Sequence, residues 1–295
     1  MSDTARPIDH LVLPTASLKA ARARLAALGF TVAPDGEHPF GTANCCVFLS
    51  DGVYLEPLAT VSNALVADAR AASNVFVARH EAFRFRRGNE GFSAVVFGTH
   101  DAAADHARFA ATGWSGGPML EFSRDFVDAS GNKDRASFKL AFAGDARAPD
   151  CLFFTCERVN VPKVDRTTLQ SHANGVRRLK SVVLAAPRAS AFAPYLAAAS
   201  GATVDGMSDD DTVVMNAANA SIQLTSNQAL QRDFGRSSSG DQGLEARAII
   251  FGVDDLHATK AYMTANRIDC EKFRGRLIVL PAPGQGAILA FEANE

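Results

Sequence analysis

The segments IDHLVL (residues 8–13) and DGVYLEPL (residues 51–58) decide the fold of the first part of this chain. Each segment has the apolar pattern of a buried or half-buried strand. Within that pattern each carries one side chain that could bind a metal ion, His10 in the first segment and Glu56 in the second. The placement of these two side chains therefore bears on function as well as on fold.

A helix and two further strands are predicted between these segments. Residues 17–28 place apolar side chains on one helical stripe, and Gly29 follows where a helix commonly ends. Residues 30–33 and 45–50 have strand patterns, and the Asp-Gly pair at 51–52 predicts a tight hairpin into the last strand. The predicted order of elements is βαβββ.

The same order of elements returns three more times. Further strand–helix units begin the repeats at residues 92–112, 179–199 and 246–266. Four such copies predict an α+β fold of tandem βαβββ modules. The polar connector 160–175 separates two predicted domains, residues 1–165 and residues 175–295.

Composition narrows the classes of partner. The chain has 295 residues, and its 30 Lys and Arg against 32 Asp and Glu argue against a nucleic-acid binder. Apolar runs are too short for a membrane span, and the start of the sequence has no signal-peptide pattern. The five cysteines have no zinc-finger or CxxC spacing, which favours reduced core thiols and a cytoplasmic protein.

The connector between the first two copies is rich in arginine. Residues 65–85 have a helical pattern, and arginines lie at 70, 79, 84, 86 and 87 of the connector. Two interpretations remain open. The helix could lie solvated on the outside of the domain, or it could form a wall of a pocket and offer a cation to an anionic ligand.

These features together resemble the vicinal-oxygen-chelate superfamily, which includes glyoxalases, bleomycin-resistance proteins and dioxygenases. The first ~165 residues are similar to the glyoxalase-like domain family. The stretches that carry this similarity are GFTVAPDGEHPFGTANCCVFLSDGVYLEPLA, FSRDFVDASGNKDRASFKLAF and LFFTCERVNVP. The resemblance implies that two modules pair into one curved sheet around a cavity that holds a divalent metal ion.

The resemblance implies a ligand set, and the residue types suit zinc, iron, manganese or nickel. It assigns the metal to His10 and Glu56. In the second copy the matching positions fall near Ser93 and residues 155–157, where Glu157 replaces a histidine of the family as the candidate third ligand. The alternatives are a hydrogen-bonded core histidine at 10, an exposed edge-strand carboxylate at 56 and a surface ion pair at 157.

Three further residues are candidates for substrate contacts. His38 and Asn44 lie in the predicted loop 37–44, and Arg124 lies in a polar insertion, where it could bind a carboxylate bidentately. The alternatives are an ordinary turn and an exposed salt bridge. At the equivalent positions of the third copy stand Ser181 and Gln223, so the second domain resembles a structural or dimerising copy.

The leading functional hypothesis is a metal-dependent enzyme of the lyase, isomerase or ring-cleavage type. It would act on a small oxygen-rich metabolite, either as a monomer or as a homodimer, with no nucleic-acid or membrane partner. His38 could also complete the metal site. The alternative is a metal-free protein that binds a small ligand, as bleomycin-resistance proteins do. A third hypothesis is a scaffold whose cavities are filled by side chains.

Overall fold

The computed structural model describes residues 4–127, 133–162, 165–208, 212–236 and 243–294. Its strands form two mixed sheets, one of nine strands and one of eight. The strands of the first sheet are β1 (Ile8–Pro14), β2 (Asp35–Glu37), β3 (Thr42–Cys45), β4 (Val47–Phe48), β5 (Tyr54–Thr60), β6 (Ala94–Thr99), β7 (Leu120–Val127), β8 (Lys133–Ala143) and β9 (Leu152–Asn160). Those of the second are β10 (Val176–Ala185), β11 (Val204–Ser208), β12 (Thr212–Asn216), β13 (Ser221–Thr225), β14 (Glu245–Val253), β15 (Glu271–Phe273), β16 (Arg276–Val279) and β17 (Ile288–Ala293).

Seven α-helices occur in the described residues. They are α1 (Leu18–Ala27), α2 (Asn63–Ala71), α3 (Val75–Arg87), α4 (Ala102–Ala111), α5 (Ala193–Ser200), α6 (Asn227–Phe234) and α7 (Leu256–Ala265). Short 3₁₀ turns lie at Thr167–Gln170 and Ala189–Phe192. No helix among these is long and apolar enough to cross a membrane.

Both sheets repeat one strand order, which confirms the predicted α+β fold of tandem βαβββ modules. In the first sheet the order is β2-β3-β5-β1-β6-β9-β8-β7, and in the second it is β11-β12-β13-β10-β14-β17-β16-β15. Within each module the opening strand is parallel to the closing strand, and the two opening strands pair antiparallel at the centre of the sheet.

Two details of the first module differ from the sequence prediction. Residues 30–33 form no strand, and the edge strand β2 begins instead at Asp35. Residues 42–44 of the predicted loop belong to β3, so only a short turn joins β2 to β3. The hairpin at residues 51–52 is confirmed, because Gly52 has a φ of 91° and β4 pairs antiparallel with β5.

The pleat of the first sheet sends alternate side chains to two different cores. Leu11 and Leu55 join a large core that contains residues of both sheets and the helices between them. Val12 and Leu58 face the other way, into a separate core on the concave side of the first sheet. Because successive strand residues point to opposite faces, this assignment fixes the orientation of the side chains from His10 to Leu13 in β1 and from Leu55 to Leu58 in β5.

The arginine-rich connector forms α2 and α3, and these helices pack inside the concave face of the first sheet. Phe76, Val77 and Phe83 of α3 are buried, and the first two join the concave core beside Phe142 and Phe154. The interpretation of this segment as a solvated outer helix is therefore wrong. The apolar face of α3 packs against the concave side of the first sheet, and a small cavity remains beside Phe76.

Tyr195 of α5 shows how closely the two halves of the chain are joined. It is buried, its ring stacks on Trp114 with centroids 5.7 Å apart, and its hydroxyl donates to the carbonyl of Ala143 at 3.3 Å. Trp114 and Ala143 belong to the second copy, whereas Tyr195 belongs to the third. The shared core predicts that both halves unfold together.

Substitution of Tyr195 by alanine should lower the free energy of unfolding by about 3–5 kcal/mol, the cost of removing a large buried aromatic ring. The matched variant Tyr195→Phe keeps the ring and should cost only about 1 kcal/mol for the lost hydroxyl contacts. Urea unfolding followed by circular dichroism measures both values. A Tyr195→Ala protein that unfolds in two steps, with one step at the wild-type midpoint, would contradict the shared core.

Candidate functional site

A small cavity lies on the concave side of the first sheet, between β1, β3, β5, β7 and α3. Its free volume is about 30 Å³, which accommodates an ion or one to two water molecules rather than a large ligand. Its polar lining residues are His10, His38, Asn44, Glu56 and Arg124. The residues that form its apolar walls are Phe40, Phe76, Phe122, Phe138, Leu140 and Phe154.

The segments that open and close the first module bring His10 and Glu56 to the same cavity. On adjacent parallel strands, His10 lies opposite Tyr54 and Glu56 lies opposite Val12, so both side chains face the cavity. His10 Nε2 is 3.6 Å from Glu56 Oε2. From the turn between β2 and β3, His38 directs its Nε2 to within 3.8 Å of Glu56 Oε1.

Contacts to Nδ1 and to the face of the imidazole ring hold His10 in place. Asp9 Oδ1 lies 2.6 Å from His10 Nδ1, and Asp9 Oδ2 pairs with Arg158 Nη2 at 2.7 Å. The Arg158 guanidinium lies over the ring of Tyr54, which stacks on His10 with centroids 4.6 Å apart. Burial raises the pKa of Asp9, but the hydrogen bond and charge of His10 and the charge of Arg158 outweigh it, so the pKa is lowered.

His38 and Asn44 complete the polar part of the cavity. His38 Nδ1 is 2.9 Å from the hydroxyl of Thr42, and Asn44 Nδ2 donates to Glu56 Oε1 at 2.7 Å. Burial, together with the nearby charge of Arg124, lowers the pKa of His38 to about 3. His38 is therefore neutral at physiological pH and retains a nitrogen lone pair.

Arg124 reaches the cavity from the far edge of the sheet. Its strand, β7, lies at one edge of the sheet, and β2 lies at the other edge. Arg124 Nη1 nevertheless lies so close to Gly36 of β2 that a Cβ atom on this glycine would overlap it. The first sheet therefore curls far enough for a side chain on one edge strand to contact the other edge strand. The cavity contact that α3 makes is Phe76, so the cation at this site comes from β7 and not from the arginine-rich connector.

The structure does not bring Glu157 to this cavity. Along β9, Phe154 and Cys156 line the cavity, whereas Glu157 points to the opposite face of the sheet. There Glu157 Oε2 accepts a hydrogen bond from the backbone N–H of Ala102 at 2.9 Å, at the start of α4. A carboxylate at a helix N-terminus stabilises the helix, and we therefore leave Glu157 out of the proposed ligand set.

Four residues of the site were not predicted from the sequence. Tyr54 and Cys156 line the cavity, and Asp9 and Arg158 support His10. A signal for Tyr54 was available, because it lies two residues before Glu56 in the same strand and so faces the same side. The part played by Arg158 depends on a contact between β9 and β1, which the sequence does not reveal.

The donor set fits a divalent metal ion at His10 and Glu56. Two ligand atoms about 2.1 Å from a tetrahedral ion lie roughly 3.4 Å apart, close to the observed 3.6 Å. The second nitrogen of His10 meets a carboxylate, as is usual in metal-binding histidines. Within the described residues, no three His, Cys, Asp or Glu side chains already surround one point as metal ligands. His38, whose Nε2 lies 3.8 Å from Glu56 Oε1, is the candidate third ligand from the same cavity.

A larger cavity, of about 330 Å³, lies where the two sheets adjoin. Its arginines pair with its acidic residues, Arg86 with Asp150 at 2.6 Å and Arg87 with Glu245 at 2.5 Å, and Glu90 accepts from backbone N–H groups. Because these charges are already compensated, we place the candidate site in the smaller cavity.

The second sheet has no equivalent of this ligand pair. Its strands β10 and β13 pair in the same register as β1 and β5, so Ser181 corresponds to His10 and Gln223 corresponds to Glu56. Neither position carries an acidic or histidine side chain.

Comparison with known proteins agrees with this architecture. A family model described as a glyoxalase-like domain matches residues 8–199, which extends beyond the first ~165 residues. The chain is similar in structure to a hypothetical protein from Staphylococcus aureus, with 13% identity, a TM-score of 0.65 and coverage of 98% of this chain and 99% of that one. Among curated protein sequences, none matches.

Two further solved structures are similar over nearly the whole chain. A mutant of 4-hydroxymandelate synthase from Streptomyces coelicolor has 13% identity and a TM-score of 0.63, with 99% and 94% of the two chains covered. A Mn(II)-bound glyoxalase from Novosphingobium aromaticivorans has 12% identity and a TM-score of 0.52, with 98% and 82% covered. At such identities the likeness shows the fold alone.

The position of Glu157 gives a prediction that separates stability from metal binding. Glu157→Ala should lower the free energy of unfolding by about 1 kcal/mol, because an N–H at the start of α4 loses its acceptor. Metal content, measured by elemental analysis, should equal that of wild type. The control is Glu121→Ala, which removes an exposed carboxylate from β7. Loss of metal from the Glu157 variant would return this residue to the ligand set.

Proposed function

The chain belongs to the glyoxalase-like domain family, and from that premise we propose that it is a metal-dependent enzyme. The proposed metal ligands are His10 and Glu56, with His38 as the third protein ligand. The substrate would be a small oxygen-rich molecule, and the reaction a lyase, isomerase or ring-cleavage step. The Mn(II)-bound state of the similar Novosphingobium glyoxalase supports a divalent ion.

One observation carries this proposal. Two histidines direct their Nε2 atoms at the same buried carboxylate, and the Nδ1 atom of each is occupied by another side chain. A hydrogen bond to one ring nitrogen fixes the orientation of the ring and leaves the other nitrogen for a metal. A histidine that served only to fill the core would not require such an arrangement at two separate positions.

The residues around the ligands have distinct roles. Asp9 and Thr42 orient the two imidazoles, and the amide of Asn44 holds one oxygen of Glu56. The aromatic walls exclude water, which strengthens electrostatic interactions within the cavity. A bound divalent ion would act there as a Lewis acid toward substrate oxygens.

A specific observation favours the alternative of a metal-free small-ligand-binding protein. Asn44 already donates to Glu56 at 2.7 Å, so the carboxylate has one strong partner without any ion. In that case His10 and His38 would bind a polar group of the ligand directly. Both alternatives use the same cavity, and metal affinity distinguishes them.

The substitution Glu56→Gln tests the proposal. It keeps the shape of the side chain and the hydrogen bond from Asn44, but it removes the charge that a divalent ion requires. We expect wild-type protein to bind one equivalent of zinc, manganese, iron or nickel. We expect the Glu56→Gln and His10→Ala variants to bind at least about tenfold more weakly, as is usual when a metal site is disturbed. Calorimetry and elemental analysis measure the affinity and the stoichiometry.

The second sheet offers a matched control. Gln223→Ala and Ser181→Ala change the residues at the corresponding register positions and should leave metal binding unchanged. If wild-type protein binds none of the four ions, the metal-free alternative replaces the proposal. If the control variants lose as much affinity as Glu56→Gln, the site is not the one proposed.

A further inference from the structure

One arginine, Arg124, lines the cavity, and its side chain is partly exposed. Arg124 Nη1 is buried without a hydrogen-bond partner. Within the described ranges, Arg124 also makes no ion pair, and its ring contact is with Phe138, 5.9 Å from the guanidinium. Arginine cannot lose its proton in a protein. A buried donor left without an acceptor costs about 1–3 kcal/mol, so its retention in a cavity points to an acceptor supplied from outside the chain.

The position of Arg124 is determined by two features of the fold. Gly36 leaves the space in which Nη1 lies, because any side chain there would overlap the guanidinium and the amide oxygen of Asn44. The curl of the sheet brings β7 across to β2. The guanidinium is therefore held next to the candidate metal ligands, where its charge contributes to the low pKa of His38.

The surroundings identify the chemical class of the acceptor. A guanidinium presents a planar fork of donors that matches a carboxylate. Phe122 and Phe138, stacked with centroids 5.1 Å apart, are two partly exposed aromatic residues of the cavity wall beside Arg124. These walls suit a carbon skeleton better than an inorganic oxyanion, which needs polar contacts on all sides. The free volume of about 30 Å³ limits the buried part of the ligand to a few atoms.

We propose that the cavity takes a small organic carboxylate, whose carboxylate group pairs with Arg124 and whose carbon skeleton extends along Phe122 and Phe138. This inference rests on the proposed function, since it names the substrate class of the same cavity. The pairing with Arg124 itself needs no metal ion. The two proposals can therefore be tested separately.

The test is calorimetric titration with pyruvate and benzoate, on protein treated with a chelator and on protein loaded with Mn²⁺. Their amides, pyruvamide and benzamide, serve as uncharged counterparts, and inorganic phosphate tests for a general anion site. We expect both carboxylates to bind the wild-type protein, and the amides and phosphate to bind at least about tenfold more weakly, the difference expected for a charge-assisted hydrogen bond. Equal binding of the amides or of phosphate would overturn the inference.

Four variants locate the interaction. Arg124→Met should weaken carboxylate binding at least about tenfold. Arg124→Lys retains the charge but lacks the planar pair of donors, so it should lose most of the carboxylate affinity. Gly36→Ala should weaken carboxylate binding similarly, because the added methyl group displaces the guanidinium. Arg135→Met removes an exposed arginine from the paired strand β8 and should have no effect. Unfolding curves confirm that each variant is folded.

The outcomes separate the two proposals. Suppose that wild-type protein binds no metal ion but binds carboxylates, and that this binding depends on Arg124. This result would support the inference and contradict the proposed metalloenzyme. Metal binding that depends on Glu56, with carboxylate affinity unchanged in Arg124→Met and Arg124→Lys, would overturn the inference alone.

Discussion

The alternation of side chains along the central strands divides each sheet between a core shared by both halves of the chain and a separate concave face. In β5 this places Leu55 in the shared core and Glu56 in the cavity. A shift of one residue in strand register would exchange the two, burying a charge in the shared core and emptying the cavity of its carboxylate. The same rule sends Glu157 to the helix side of the sheet, although its neighbour Cys156 lines the cavity.

Burial of the Glu56 carboxylate explains why polar residues gather at this end of the sheet. A buried carboxylate is unfavourable unless donors or cations surround it, and here Asn44, His10 and His38 do so. In the second sheet the corresponding side chain, Gln223, is neutral. There the concave face is filled by a core that includes Leu230 and Phe234 of α6.

A feature of the site could be predicted from the sequence when it depends on residues close together in the chain, and not when it depends on tertiary contacts. His10 and Glu56 lie in strands whose patterns, turns and repeats are visible in the sequence, and both do face the same cavity. Glu157 could not be oriented, because Phe153 and Phe154 are both apolar and give no indication of which face of β9 is concave. The helix α3 was recognisable, but its packing inside the sheet depends on tertiary contacts. The position of Arg124 depends on its contact with Gly36 across the curled sheet, which no local pattern encodes.

The central claim is that a divalent ion binds between β1 and β5 on the concave side of the first sheet. Anomalous X-ray diffraction from crystals grown with Mn²⁺ or Zn²⁺ tests this claim most directly, because it locates the ion without reference to activity. We predict one strong peak about 2.0–2.2 Å from both His10 Nε2 and a carboxylate oxygen of Glu56. A peak elsewhere, such as among the ion pairs between the two sheets, or no peak from crystals of protein that binds the ion in solution, would contradict it.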